Sequence, residues 1–295
     1  MSSLSDHLKG VLLTGGGFLV LSPDALIIRL IEVDSWTVMF WRGLLTVIGL
    51  FALMTLRYGG GVFHRFRAIG RLGALAAVMF TISSICFVTA ITHTTTANAL
   101  VIISVSPLFA AGFSLVFLGE RVALRTWLAI GAAIVGIAII FLPVLGGIRV
   151  AGQGLIGDLA ALGTAISMAG YFTVLRRARD VDMAPSLAFS GVLTAVVVSA
   201  LASPFAVTVP DVGYLALLGV VISPISFAMI SAGPRYISAP EVGLLMPIET
   251  VLGPLWVWLL LAESPGVYAL VGGAVVIGAL VAHSLAALRV ERAAA

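Results

Sequence analysis

The sequence predicts an all-α integral membrane protein: ten transmembrane helices, laid out as two inverted five-helix repeats around a central cavity. Three observations carry this expectation. Of the 295 residues, 61% are hydrophobic and 10% are charged, well above the roughly half-apolar content of a soluble domain. Apolar runs of the roughly 20 residues that a bilayer crossing needs recur along the whole chain, whose mean hydropathy is +1.19. The chain also repeats itself. Arg29, Val33, Asp34, Gly43, Leu45 and Thr46 return 148 residues later as Arg177, Val181, Asp182, Gly191, Leu193 and Thr194, and Ser83, Leu118 and Glu120 return after 143 as Ser226, Leu261 and Glu263.

The spans are expected in order near residues 9–30, 36–56, 70–91, 95–118 and 124–142, then near 154–175, 186–205, 211–231, 239–261 and 265–287. Met1 to Lys9 precede an apolar run, but Ser22-Pro23-Asp24 interrupts it and no small-residue cleavage site follows. It therefore reads as a retained first span rather than a signal peptide. Breaker residues divide the rest: Gly59-Gly60-Gly61, Pro143, Gly146-Gly147, Pro204, Pro210 and Pro265 suit loops better than helix interiors. The repeat offset changes within the Arg/Gly-rich stretch 57–71, which is expected to be a loop. The two repeats are residues 1–147 and 148–295. An odd number of spans in each turns the second upside down relative to the first, a feature of secondary-transporter folds.

Charge fixes an orientation. Lys9, Arg57, Arg65, Arg67, Arg71, Arg121, Arg125, Arg176, Arg177, Arg179, Arg235, Arg289 and Arg292 fall on the tails and alternate loops of one side, thirteen of the sixteen cations. Only Arg29 and Arg149 fall opposite, and Arg42 lies inside span 2. The positive-inside rule then places both termini in the cytoplasm, which for this chain means a multi-pass inner-membrane protein. The cations are spread over many loops without interleaved exposed aromatics, so no nucleic-acid partner is expected. Lone Cys86 makes no disulfide.

Intramembrane enzymes are excluded by spacing. An aspartyl protease needs G-x-G-D, and Gly154-Leu155-Ile156-Gly157-Asp158 does not supply it; no H-E-x-x-H exists for a metal. His93 and His283 lie at span ends, and His7 and His64 in the tail and a loop, so no serine has an evident base. Neither a metal nor another cofactor is expected. Lys9 is the only lysine and Arg42 the only arginine clearly within a span, a poor set for phosphate. The partners expected are the lipid bilayer and a neutral or zwitterionic small molecule.

Candidate site residues follow from breaks and charges within spans. Close-spaced Gly131, Ala132 and Gly136, and Gly272, Gly273 and Gly278, read as packing surfaces. Pro23, Pro107, Pro224, Pro247 and Pro254 each interrupt a span, and backbone groups freed at membrane depth require polar company or a wet cavity. Charges at that depth are expensive enough to be functional candidates: Asp24, Arg42, Glu241 and Glu249. Asp24 and Arg42 both lie toward the outer ends of spans 1 and 2 and suit an ion pair, although Arg42 equally suits a substrate carboxylate. Glu241 sits at the cytoplasmic start of span 9 and is expected to face water. Glu249 is deeper and serves as a candidate proton site, a partner for a substrate amine, or a neutral hydrogen-bonded acid. Pro23, Phe80, Ser83, Ser84, Phe87, Ser106, Tyr171, Ser226 and Trp256 complete the expected cavity lining.

Thr94-Thr95-Thr96-Ala97-Asn98-Ala99-Leu100, Ser106-Pro107 and, thirteen residues beyond that proline, Glu120 within Leu118-Gly119-Glu120-Arg121 resemble the end of an EamA repeat of the drug/metabolite transporter superfamily. Ile237-Ser238-Ala239-Pro240-Glu241-Val242-Gly243 and Ala262-Glu263 resemble a degraded copy. Thr250 stands where Pro107 would repeat, Pro247 comes one turn early, and Ala262 replaces Gly119, so spans 4 and 9 are not exact copies. The resemblance implies alternating access through a central cavity lined by spans 1, 3, 4, 6, 8 and 9 and braced by spans 5 and 10. The chain further resembles the YddG type of aromatic and neutral amino-acid exporter, which implies export of amino acids from the cell. Other small metabolites or drugs, and a non-transporting membrane scaffold, are the competing expectations.

Overall fold

The computed structural model describes residues 5–93, 96–145, 154–261 and 267–294, and among them every regular element is helical. Ser5 starts α1 (Asp6–Leu21) by accepting the Leu8 N–H. The helix stops where the Ser22 hydroxyl donates to the Leu19 carbonyl (2.7 Å) and Pro23 has no N–H to give; α2 (Asp24–Arg29) follows at once. Asp34 then caps α3 (Ser35–Tyr58), accepting from the Trp36 and Thr37 amides and the Thr37 hydroxyl. Burial works to raise the Asp34 carboxyl, but these hydrogen bonds outweigh it and hold the group below its usual range. Its repeat copy Asp182 accepts the Ala184 N–H in the same way. The conserved spacing of the two aspartates in the internal repeat is thus a pair of helix starts.

A 3-10 turn at Gly59–Gly61 leads into α4 (Val62–Ala68) and α5 (Gly70–His93). This corrects the loop expected over 57–71. Val62 and Ile69 are buried and Phe66 is partly buried, one helical stripe, while Arg65 and Arg67 point outward. Next come α6 (Thr96–Ile103) and α7 (Ser106–Phe113), separated by a turn at 104–105, then a π-helical stretch Ser114–Leu118 and α8 (Leu124–Leu145).

The second half runs through α9 (Leu155–Arg177), α10 (Ala184–Val198), α11 (Val209–Ala216), a π-helical stretch Leu217–Ile222, α12 (Ser223–Ala232), α13 (Ala239–Leu245), α14 (Pro247–Leu261) and α15 (Val267–Ala294). Span 7 was expected to reach 205, but α10 ends at Val198. The Ser199 hydroxyl donates back to the Val196 carbonyl there (2.7 Å), and Phe205 lies 98% exposed beyond the end. Gly146-Gly147, Arg149, the 147/148 boundary, Thr94-Thr95, Ala262-Glu263 and Pro265 lie outside the described residues.

Among the described residues five stretches are long and apolar enough to cross a membrane: Asp6–Ile28, Ser35–Ala68, Gly70–His93, Leu155–Arg177 and Val209–Arg235. Four shorter apolar helices, Ser106–Leu118, Leu124–Ile140, Ala184–Val198 and Leu270–Ala286, accompany them. Their outward faces are apolar: Ile48, Val116, Leu128, Leu159 and Val196 are all exposed.

The core follows α9, whose Tyr171, Phe172 and Leu175 are among the largest fully buried side chains, and α9 packs on α5, α7 and α13. Helix α3 packs on α10, α8 on α15, α7 on α13, α1 on α12, and α5 on α10, while α3 also meets α12 and α1 also meets α13 and α14. Small residues set the crossings. A Cβ on Gly43 would lie 2.7 Å from the Gly191 carbonyl oxygen, and one on Gly191 would lie 2.6 Å from that of Gly43. These two are repeat copies of each other. Gly136 and Gly272 touch reciprocally where α8 crosses α15. Gly131 and Gly278, expected on the same packing surfaces, face open space instead.

Gly191→Ala should therefore push α3 and α10 apart and destabilise the protein by about 1 to 3 kcal/mol, the usual cost of overpacking. Gly131→Ala should be neutral or gain up to about 1 kcal/mol from helix propensity. Thermal unfolding in detergent checks both, and equal shifts for the two would contradict the crossing geometry.

Candidate functional site

The break at Ser22-Pro23 turns the chain so that Asp24 opens α2, where a helix N-terminus favours a carboxylate. Asp24 Oδ2 meets Arg42 Nη1 of α3 at 2.9 Å, and Arg42 Nε donates to Ser223 Oγ of α12 at 3.2 Å. One arginine thus joins three elements. Glu249, in the first turn of α14, interacts electrostatically with both Asp24 and Arg42. From the same helix, Trp256 Nε1 donates to Ser22 Oγ at 2.8 Å, pinning α14 to the break in the first span. Asp24 is buried and its Oδ1 has no hydrogen-bond partner.

This cluster holds one cation against two carboxyl groups. With both acids ionised, one negative charge has no counter-charge in a poorly solvated place, which is costly. A proton, or the ammonium group of a bound molecule, completes it.

An aromatic group lies one turn along α12. Ser223 and Phe227 are four residues apart and share a helix face. The Phe227 ring meets Phe80 of α5 at 5.2 Å, and Phe80 meets Tyr171 of α9 at 5.1 Å, both edge-on, the arrangement that ring quadrupoles favour. The Tyr171 hydroxyl is buried without a partner; Ser186 is close, but its own hydroxyl donates to the Met183 carbonyl (2.7 Å). The Ser106 hydroxyl at the start of α7 is also buried and unpaired. Buried polar atoms left without a partner are what a ligand or water would satisfy.

The expected lining residues thus fall into groups. Pro23, Asp24, Arg42, Glu249 and Trp256 come together around the helix break, and Phe80 and Tyr171 come together with Phe227. Ser84 and Ser226 spend their hydroxyls on their own helices, donating to the Phe80 and Ser223 carbonyls. Ser83 is buried beside α9, its carbonyl facing the Thr164 hydroxyl at 3.5 Å. Phe87 is 37% exposed and joins neither ring pair.

Sequence reasoning missed Ser223 and Phe227 as partners, although their i, i+4 spacing around Pro224 is readable. It also did not foresee how three residues meet at the other end of α1. Glu241 is mostly buried rather than open to water: its Oε1 lies 3.4 Å from His7 Nε2 and 3.2 Å from His283 Nε2, with both rings buried. His7 sits in the first turns of α1, not in a free tail. Glu241 and Ser238 also form a capping box at the start of α13, and the S-x-x-E spacing signals one. Beside this group a cleft of about 370 Å³ is lined by Glu120, Arg121, Arg125, Arg176, Tyr236, Ser238 and Glu241 among others. Arg176 Nε closes on Glu120 Oε1 at 2.9 Å, and its Nη1 donates to the Pro234 carbonyl.

A protein-family model described as the EamA-like transporter family matches residues 9–142 and 155–285. The pseudopaline exporter CntI of Pseudomonas aeruginosa (strain UCBPP-PA14) is 27% identical over 255 residues, 84% of this chain and 85% of that protein. A solved protein crystal structure superposes with a TM-score of 0.80 over 96% of this chain and 98% of its own at 19% identity, a likeness of fold alone. With its apolar helices the molecule is a multi-pass membrane protein, and the chain belongs to the EamA-like transporter family.

Proposed function

We propose that this chain is an inner-membrane secondary transporter that exports small neutral or zwitterionic metabolites, amino acids foremost, by alternating access. The carrying observation is the Asp24, Arg42 and Glu249 cluster, with one carboxyl more than its cation serves. An α-amino acid offers matching chemistry: its ammonium suits the carboxyls, its carboxylate suits Arg42, and the Phe80, Tyr171 and Phe227 rings suit an apolar side chain. A scaffold protein would gain nothing from a buried charge imbalance that helix packing does not need.

The architecture behind this reading is ten spans in two inverted repeats, residues 1–147 and 148–295, around a central cavity, with both termini cytoplasmic. Its support is the list of helix pairings. Exchanging first-half helices with their second-half counterparts turns α1 on α12 into α9 on α5, α5 on α10 into α12 on α3, and α7 on α9 into α13 and α14 on α1, all of which occur. The helix pairs α3 and α10, and α8 and α15, map onto themselves. Gly43 against Gly191 supplies a contact of the kind a two-fold axis produces. A second reading, export of a different small metabolite, draws on the relative whose name specifies pseudopaline.

Purified protein in liposomes decides between transport and scaffold. Radiolabelled neutral and aromatic amino acids should cross faster than in empty vesicles, and no acceleration for any amino acid or related metabolite would defeat the proposal. Arg42→Gln should slow transport by about tenfold to a hundredfold, the factor equivalent to about 1.5 to 3 kcal/mol for a lost hydrogen bond to a charged group. Ser223→Ala, which leaves the ion pair, should cost less than Arg42→Gln in the same assay. Glu249→Gln tests proton coupling: it should transport while losing its response to an imposed pH gradient, and a response like that of the parent protein would assign the cluster to substrate alone.

A further inference from the structure

We propose that His7, Glu241 and His283 form a binding site for one divalent transition-metal ion, with Zn²⁺ the best fit. The proposal goes beyond the transport reading and does not depend on it. The three ligand atoms lie within 4.8 Å of one another. Bonds of about 2.0 to 2.2 Å in a tetrahedral arrangement set neighbouring ligand atoms about 3.3 to 3.5 Å apart. The two carboxylate-to-imidazole separations are 3.4 Å and 3.2 Å, close to that edge. They are long for direct pairing, since charge-assisted hydrogen bonds run to about 2.7 to 2.9 Å.

The ligands are also held in advance. Glu241 Oε2 accepts from the Ser238 amide (2.9 Å) and hydroxyl (2.8 Å), which aims Oε1 between the two rings. Carboxylates fixed from behind in this way are typical of metal ligands. Both histidines are buried and neither Nδ1 has a hydrogen-bond partner, so every polar contact of the two rings points into the triangle. Two imidazoles and one carboxylate favour zinc and its neighbours over magnesium or calcium, which prefer all-oxygen sets. Three protein ligands leave a fourth position for water. Glu241 also lines the 370 Å³ cleft, which gives the ion a route in.

A bound ion would tie the beginning of α1, the beginning of α13 and the second half of α15 into one unit. It would therefore fix the end of the molecule opposite the Asp24 and Arg42 cluster.

The test uses the full chain without a histidine tag, purified in detergent and stripped with chelator. Calorimetric titration with Zn²⁺ should show one saturable site per chain, and Co²⁺ should give the intense visible bands of a tetrahedral complex. His7→Gln combined with His283→Gln should weaken Zn²⁺ binding by about a hundredfold or more and abolish those bands, while Ser238→Ala should weaken it by about tenfold. Absence of saturable binding in the parent protein, or unchanged binding in a folded double variant, overturns the site. If the double variant does not fold, X-ray absorption at the zinc edge of the parent protein decides: two imidazoles with oxygen ligands uphold it, and any other set overturns it. None of these readings uses transport, so failure of the metal site and failure of the transport proposal are seen separately.

Discussion

The organising constraint is that Arg42 cannot be left alone in the interior of an apolar helical assembly. Its guanidinium stays charged at every accessible pH, so the fold must bring polar groups to it from several directions. Asp24 reaches it because the first span breaks at Ser22-Pro23, and Ser223 reaches it because α12 begins at that depth. Break and charge therefore explain each other. The broken helix frees backbone groups that an apolar surrounding would punish, and the charged cluster supplies the polar surroundings that tolerate them. Removing either leaves the other expensive.

The same logic accounts for where the helices are smooth and where they are not. The α8 and α15 pair meets closely through Gly136 and Gly272. α3 and α10 cross as closely at Gly43 and Gly191. The breaks and π-helical stretches lie elsewhere: breaks between α6 and α7 and between α13 and α14, and π-helical stretches after α7 and between α11 and α12. Such points absorb changes in backbone geometry more readily than close-packed crossings do. The fold thus separates close-packed crossings from interrupted helices.

Much of this was legible in the chain because charge is scarce in it. Asp24, Arg42 and Glu249 stand out against an apolar background, and the pairing of the first two follows from their depth. Periodicity exposed the helices, and the internal repeat exposed Gly43 and Gly191 as equivalents. What stayed hidden was contact between distant elements. No local pattern joins His7 to Glu241 across 234 positions, or sets Phe227 rather than Phe87 beside Phe80. Length was misleading at α10, where a serine and a proline-bearing turn end a helix that apolarity alone would extend. Over 57–71 the arginines and glycines suggested a loop, but Val62, Phe66 and Ile69 repeat at helical spacing and bury one face. Composition lost there to periodicity.

Helix α1 gives the two polar centres a mechanical connection. His7 lies near its beginning, and Ser22 and Pro23 follow its end. Over 16 residues, at about 1.5 Å each, the helix spans about 24 Å, most of a bilayer's hydrocarbon core. Between its ends Gly17 rests on α12, where a Cβ would collide with Ile230, and Gly10 rests on Ile237 just before α13. If α1 moves as one body, a change in what Asp24 and Arg42 bind at one end alters the fit of His7 against Glu241 and His283 at the other. By reciprocity, whatever tightens the His7 end alters the affinity of the Arg42 end by the same factor. The alternating access proposed above needs coupling of that kind.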